Sequence, residues 1–207
     1  MEQLQEIEGY KIKQTFTIGG KDIVFGVNPQ HEQPYMVGVV SYDNPFGMPF
    51  FENGVASQDY LGMVKKYTGH ISAEVERLEN LRTEQKEQGV SDEPLNMDDC
   101  ISGSMHTDYR GKVLVIDTQH LYPEYHSAAY QIAYATHGNG CRPDARGTSV
   151  FTRNLYTGET ERWSRAAILG VLRPERMPEW ARERLAEILK EQPTQHHKHR
   201  PEKEYER

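Results

Sequence analysis

Residues 134–165 read YATHGNGCRPDARGTSVFTRNLYTGETERWSR. Two β-favouring runs, 149–156 and 161–165, flank Thr157 and Gly158, whose chemistry suits a tight turn, so the back of this stretch is predicted to be a β-hairpin. Its front is a loop in which Gly, Cys and Arg concentrate. Such a loop, set directly against a hairpin, is where a binding surface is expected.

Working outward, residues 167–172 form a last short strand. A helix then starts at Pro178, a residue favoured in a first turn, with Ala181, Leu185, Ile188 and Leu189 on one face. The tail 193–207 has no apolar periodicity and is expected to be disordered. On the other side, residues 110–117 carry GKVLVID, a strongly marked strand. A helical turn near Pro123 leads to 130–134, where Tyr130, Ile132 and Tyr134 alternate in strand fashion, although the preceding SAA also suits a helix.

The front of the chain has its own pattern. Segments 10–18 and 22–27 are predicted strands joined at Gly19 and Gly20, and 35–42 (YMVGVVSY) is apolar on both faces like a central strand. Asn44, Pro45, Gly47 and Pro49 make a loop. Ser57 then offers an N-cap for a helix that sets Tyr60, Val64, Tyr67, Ile71, Val75 and Leu78 against the sheet, and beyond Glu79 this helix turns polar until Gly89. Residues 90–99, VSDEPLNMDD, hold little that packs. The expected organisation is therefore a sheet-plus-helix unit at 1–89, a linker at 90–99, a small β-rich unit with a C-terminal helix at 100–192, and the tail. The fold class is α+β: an N-terminal antiparallel sheet with one long helix, then a small bent β-sheet or SH3-like barrel with a C-terminal helix.

With 207 residues, 36% of them hydrophobic, the chain can bury a core in one domain or two small ones. Mean hydropathy is -0.79. No apolar run approaches the roughly 20 residues that span a bilayer, and the acidic, polar start MEQLQEIEGY is unlike a secretory signal. A cytoplasmic protein without a membrane partner is expected. Net charge is -7, unevenly spread: residues 1–97 hold 8 Lys/Arg against 15 Asp/Glu, whereas 142–176 hold 7 Arg against 4 acidic residues. Overall acidity argues against indiscriminate duplex binding.

Two cysteines, Cys100 and Cys141, lack the spacing of a zinc site and read as reduced thiols. Cys141 with His137, Asp144 and Arg146 could form a thiol nucleophile, but C-x4-R falls one residue short of the phosphatase loop. Cys100, beside Asp98 and Asp99, sits in a field that raises a thiol pKa. Gly138, Gly140 and Gly147 read either as a phosphate cradle or as a flexible turn, with no P-loop pattern around them. Arg142, Arg146, Arg153, Arg162 and Arg165, interleaved with Phe151, Tyr156 and Trp163, read either as a binding surface for nucleic acid or acidic protein or as a solvated hairpin face paired with Glu159 and Glu161. Arg153 and Arg162 are expected to face each other. Glu74, Glu76, Glu79, Glu84 and Glu87 read as a wet helix face or as a phosphate mimic. His196, His197 and His199 suit a solvated tail or weak metal binding. No metal site and no cofactor are expected.

Several stretches carry a resemblance: GKVLVI, the strand before HGNG, RGTSVFTRNLYTGE and LGVLRPERMPEWA behind, with TIGGKDIVFGVNP and YMVGVVSYDN in front. Together they resemble domains that recur in accessory proteins of Firmicutes conjugative and integrative mobile elements. The resemblance implies mobile DNA of a gut-type bacterium and supplies no catalytic residues. The leading expectation is a non-enzymatic accessory protein binding a host or element-encoded complex, inhibition of a host defence complex being one form of that role. The alternatives are a nucleic-acid-binding factor using the Arg/aromatic hairpin and a thiol enzyme centred on Cys141.

Overall fold

The computed structural model describes residues 6–42 and 48–191. The loop residues Asn44, Pro45 and Gly47 and the tail with its three histidines lie outside them. The architecture is α+β, with two antiparallel sheets, a long helix on the first and a C-terminal helix on the second.

The first sheet is a meander in chain order: β1 (Glu6–Ile7), β2 (Tyr10–Ile18), β3 (Lys21–Val27), β4 (Tyr35–Ser41) and β5 (Phe50–Ser57). The expected Gly19-Gly20 hairpin joins β2 to β3. Both faces of β3 and β4 are covered. On one, Phe25 and Val37 pack beneath Met63 of the long helix α1 (Tyr60–Glu87), and the Phe25 ring meets Tyr60 and Tyr67 edge-on at 5.9 and 6.1 Å. On the other, the Phe51 ring lies directly over Gly38, where a Cβ would sit 2.2 Å from it. A side chain at Gly38 would displace that ring.

Two expectations for this region are corrected. Strand β5 was missed, because Asn53, at φ 54°, and Gly54 break its alternation, and it runs up to Ser57. The cap of α1 is therefore Asp59, whose carboxylate accepts from Gly62 N at 3.0 Å, while Ser57 Oγ accepts from Asp59 N. Of the expected stripe, Val64, Tyr67 and Leu78 pack as read, but Met63, 3% exposed, belongs to it as well, while Tyr60 and Val75 are 51% and 39% exposed.

Helix α1 has 28 residues and at 1.5 Å per residue reaches about 42 Å, beyond the first sheet. Its polar second half is not simply solvated. Gln85 is buried and donates to the Tyr130 hydroxyl at 3.2 Å, and Arg82 donates to Glu124 O at 3.3 Å. From the β2–β3 turn, Gly19 N donates to the Glu124 carboxylate.

The second sheet comprises β6 (Cys100–Ser102), β7 (Val113–Ile116), β8 (Ile132–His137), β9 (Ser149–Asn154), β10 (Thr160–Ser164) and β11 (Ile168–Leu172), ordered β10-β9-β8-β7-β11-β6. It is open, with β10 and β6 as its edges. One face, with Val113, Val115, Ile132 and Leu172, is covered by Ala181 and Ile188 of α3 (Glu179–Glu191). The other, with Leu114, Ile116 and Val150, is covered by Tyr109 and Cys141 from loops. Leu189, expected on the packed face of α3, is 49% exposed. Both readings of 130–134 hold in succession: α2 (Ala128–Gln131) runs straight into β8. Gln131 is wholly buried, its amide donating to Leu95 O and Ile116 O and accepting from Leu95 N. Residues 90–99 therefore do pack, through this clamp on Leu95 and through Val90, which is 3% exposed.

A pair of substitutions tests the close approach at Gly38. Gly38→Ala should cost on the order of 1–3 kcal/mol in chemical denaturation through overpacking against Phe51. Gly69→Ala, on exposed helix with open space around it, should instead stabilise by about 1 kcal/mol.

Candidate functional site

The predicted hairpin forms as β9 and β10, with Arg153 opposite Thr160 and Arg162 opposite Phe151. Side chains alternate across a strand, so the hairpin presents two different faces. Phe151, Arg153 and Arg162 share one, with the two arginines diagonal rather than opposed. Glu161 and Trp163 share the other, where Trp163 packs beside Val150.

That second face forms one wall of a cleft of about 390 Å³. The opposite wall is Tyr122 and Tyr125 from the loop after β7, Tyr130 from α2, and Arg77 and Leu81 from α1. Tyr125 and Tyr130 lie 4.5 Å apart between ring centroids, and burial raises both phenols above their ordinary pKa. Glu159 and His120 line it as well. The Trp163 indole N–H donates to the Glu161 carboxylate at 2.8 Å.

Charge in the cleft is one-sided. The Arg77 guanidinium donates twice to Glu74, and that hydrogen-bonded pairing raises its proton affinity further. Lys21 Nζ lies 3.6 Å from the same carboxylate. Glu74 is thus buried in an ion cluster and does not belong to the wet face expected of the helix carboxylates. Among the described residues, no cation is paired with Glu161. Burial pushes its carboxyl pKa up and repulsion from Glu159 adds to this, against the hydrogen bonds from Trp163 and Asn154.

The loop ahead of the hairpin does not assemble a nucleophile. Cys141 is fully buried, its Sγ donates to His137 O at 3.0 Å, and burial raises the thiol pKa. The His137 ring turns away to stack on Phe151, and Asp144 pairs with His106 at 2.7 Å. Nor is the loop a loose turn: a Cβ on Gly138, at φ 126°, would lie 2.3 Å from Ser149 O, so the backbone is pressed onto β9. Arg165 holds it there. Its guanidinium donates to Gly140 O, Arg142 O, Ser104 O and Thr107 O and sits 4.3 Å over the Tyr109 ring, so this arginine is a loop clamp and not part of an open surface.

The other predicted residues are dispersed. Arg142 and Arg146 are exposed on the loop, and Tyr156 packs edge-on against Trp180 at 5.8 Å. Two hollows beside α3 are bordered by Arg184 and Glu187, which satisfy each other at 3.0 Å. Cys100 is buried, and burial together with Asp99 pushes its thiol up to about 11. Among the described residues, no group of three or more His, Cys, Asp or Glu is placed to hold a metal, and no helix is long and apolar enough to cross a membrane.

Sequence reasoning found Trp163 but missed the tyrosines facing it. The signal was LYPEYHSAAY, residues 121–130, with three tyrosines. Comparison with protein-family models, curated proteins and solved structures finds no match.

Burial and the raised pKa predict that Cys141 reacts with iodoacetamide at neutral pH far more slowly in the folded protein than after denaturation. Tryptic mapping of the alkylated Cys141 peptide reads this. Labelling at the rate of a free thiol in the native state would contradict the packing described.

Proposed function

We propose that this chain is a non-enzymatic binding protein whose cleft receives a cationic side chain, Lys or Arg, from a partner protein. The observation that carries the reading is the Glu161 carboxylate, set with Trp163 opposite three tyrosines while Arg77, the arginine lining the cleft, is committed to Glu74. An aromatic wall attracts a cation through ring quadrupoles by about 0.5–2 kcal/mol, and a carboxylate short of positive charge adds to that attraction. The resemblance to accessory proteins of mobile elements makes a host or element-encoded complex in the cytoplasm, a defence complex included, the class of partner to search. The thiol-enzyme alternative lacks an exposed thiolate.

The test is titration of Trp163 fluorescence with Lys- and Arg-containing peptides, using Trp180→Phe to remove the second indole. Saturable binding is expected, weakened about tenfold by Glu161→Gln, with acidic or neutral peptides inactive. Absence of saturation, or equal binding by Glu161→Gln, would refute the proposal.

The pH dependence has a fixed sign. A cation favours the ionised carboxylate, so affinity should fall as pH drops through the raised range of Glu161. Stability runs the other way. A carboxyl whose folded pKa lies above its unfolded value loses stability as pH rises through that window, so Glu161→Gln should be at least as stable as the parent at neutral pH. Parallel binding and melting series on both proteins check the two signs together.

A further inference from the structure

On the hairpin face turned away from the cleft, the His137 ring lies parallel to Phe151, with centroids 4.6 Å apart and planes within 5°. His137 is exposed, so its outer ring face is open to a further flat partner. The ring is also held in orientation. Thr136 Oγ1 donates to Phe151 O at 3.0 Å, which uses its single proton, so its 3.0 Å contact with His137 Nδ1 has the ring N–H as donor. The Nε2 edge then projects as the free polar edge of a fixed platform.

A cation borders this platform. Arg162 lies opposite Phe151 in register and is anchored by Nε and Nη2 donating to Ser149 Oγ at 3.1 and 2.9 Å, which leaves its Nη1 edge for another acceptor. Arg153 is diagonal to it, held through Gly158 O.

We propose that this face binds single-stranded nucleic acid, one base stacking on His137 and a flanking phosphate meeting Arg162. A flat ring supported from beneath, with an arginine beside it, is the chemistry of sequence-tolerant single-strand sites, whereas bases within a duplex have no free face to offer. The proposal does not rest on the cleft, which lies on the opposite face of the same hairpin.

The test is fluorescence anisotropy with labelled oligothymidylate and oligouridylate of roughly 10 nucleotides, against a duplex of equal length. Single strands should bind more tightly than duplex, with log K falling against log salt by about 0.7 for each phosphate contact. His137→Ala should weaken binding on the order of tenfold, and His137→Phe, which keeps the platform, should retain it. Arg162→Gln should weaken binding and flatten the salt slope. Glu161→Gln, the variant that disables the cleft, should leave it unchanged. No binding at low salt, duplex bound as tightly as single strand, or indifference to His137→Ala in a variant with unchanged melting would overturn the proposal.

Discussion

Gln85 stands in the polar half of α1, yet it is 2% exposed and its amide reaches the Tyr130 hydroxyl. With Arg82 on Glu124 O and the Gly19 amide on the Glu124 carboxylate, it holds the helix of the first sheet against the loop and short helix of the second. These contacts are directional, so they fix where α1 lies along its length. The cleft depends on that placement, because Arg77 and Leu81 form its helical wall and Tyr122, Tyr125 and Tyr130 come from the segment the helix grips. Slide α1 by one turn and the aromatic wall loses its boundary.

The hairpin supplies the opposite wall and has a second surface besides. Strand alternation sends Glu161 and Trp163 into the cleft and Phe151 and Arg162 to the far side, so one supersecondary element faces two chemically different environments. The loop before it serves neither directly. Its cysteine fills the core, its glycines allow backbone to lie on β9, and Arg165 ties 104–107 to 140–142 through carbonyl groups. Residue types that suggest chemistry in a sequence here make a compact support.

Strands β2, β3, β4, β7 and the β9–β10 hairpin were legible because alternation and turn residues are local properties. Strand β5 was not, since a left-handed Asn53 breaks its period. The fate of the polar end of α1 was hidden for a different reason. A helix of Gln, Glu, Lys and Arg reads as solvated unless the partner for Gln85 is known, and Tyr130 lies 45 residues further on. The cleft shares that difficulty: Trp163 was marked as a candidate, but its facing tyrosines come from a stretch read only as a turn and an ambiguous strand.

The cleft between α1 and the hairpin is proposed to receive a positively charged side chain. Two-dimensional NMR of the isotopically labelled chain, titrated with an Arg-containing peptide, addresses it most directly. Shift changes concentrated at the Trp163 indole, Leu81, Tyr122 and Tyr130, with one saturation curve, are the predicted result. Small changes spread over the exposed carboxylates of α1, without saturation, would show that the peptide meets only the acidic surface and would contradict the account.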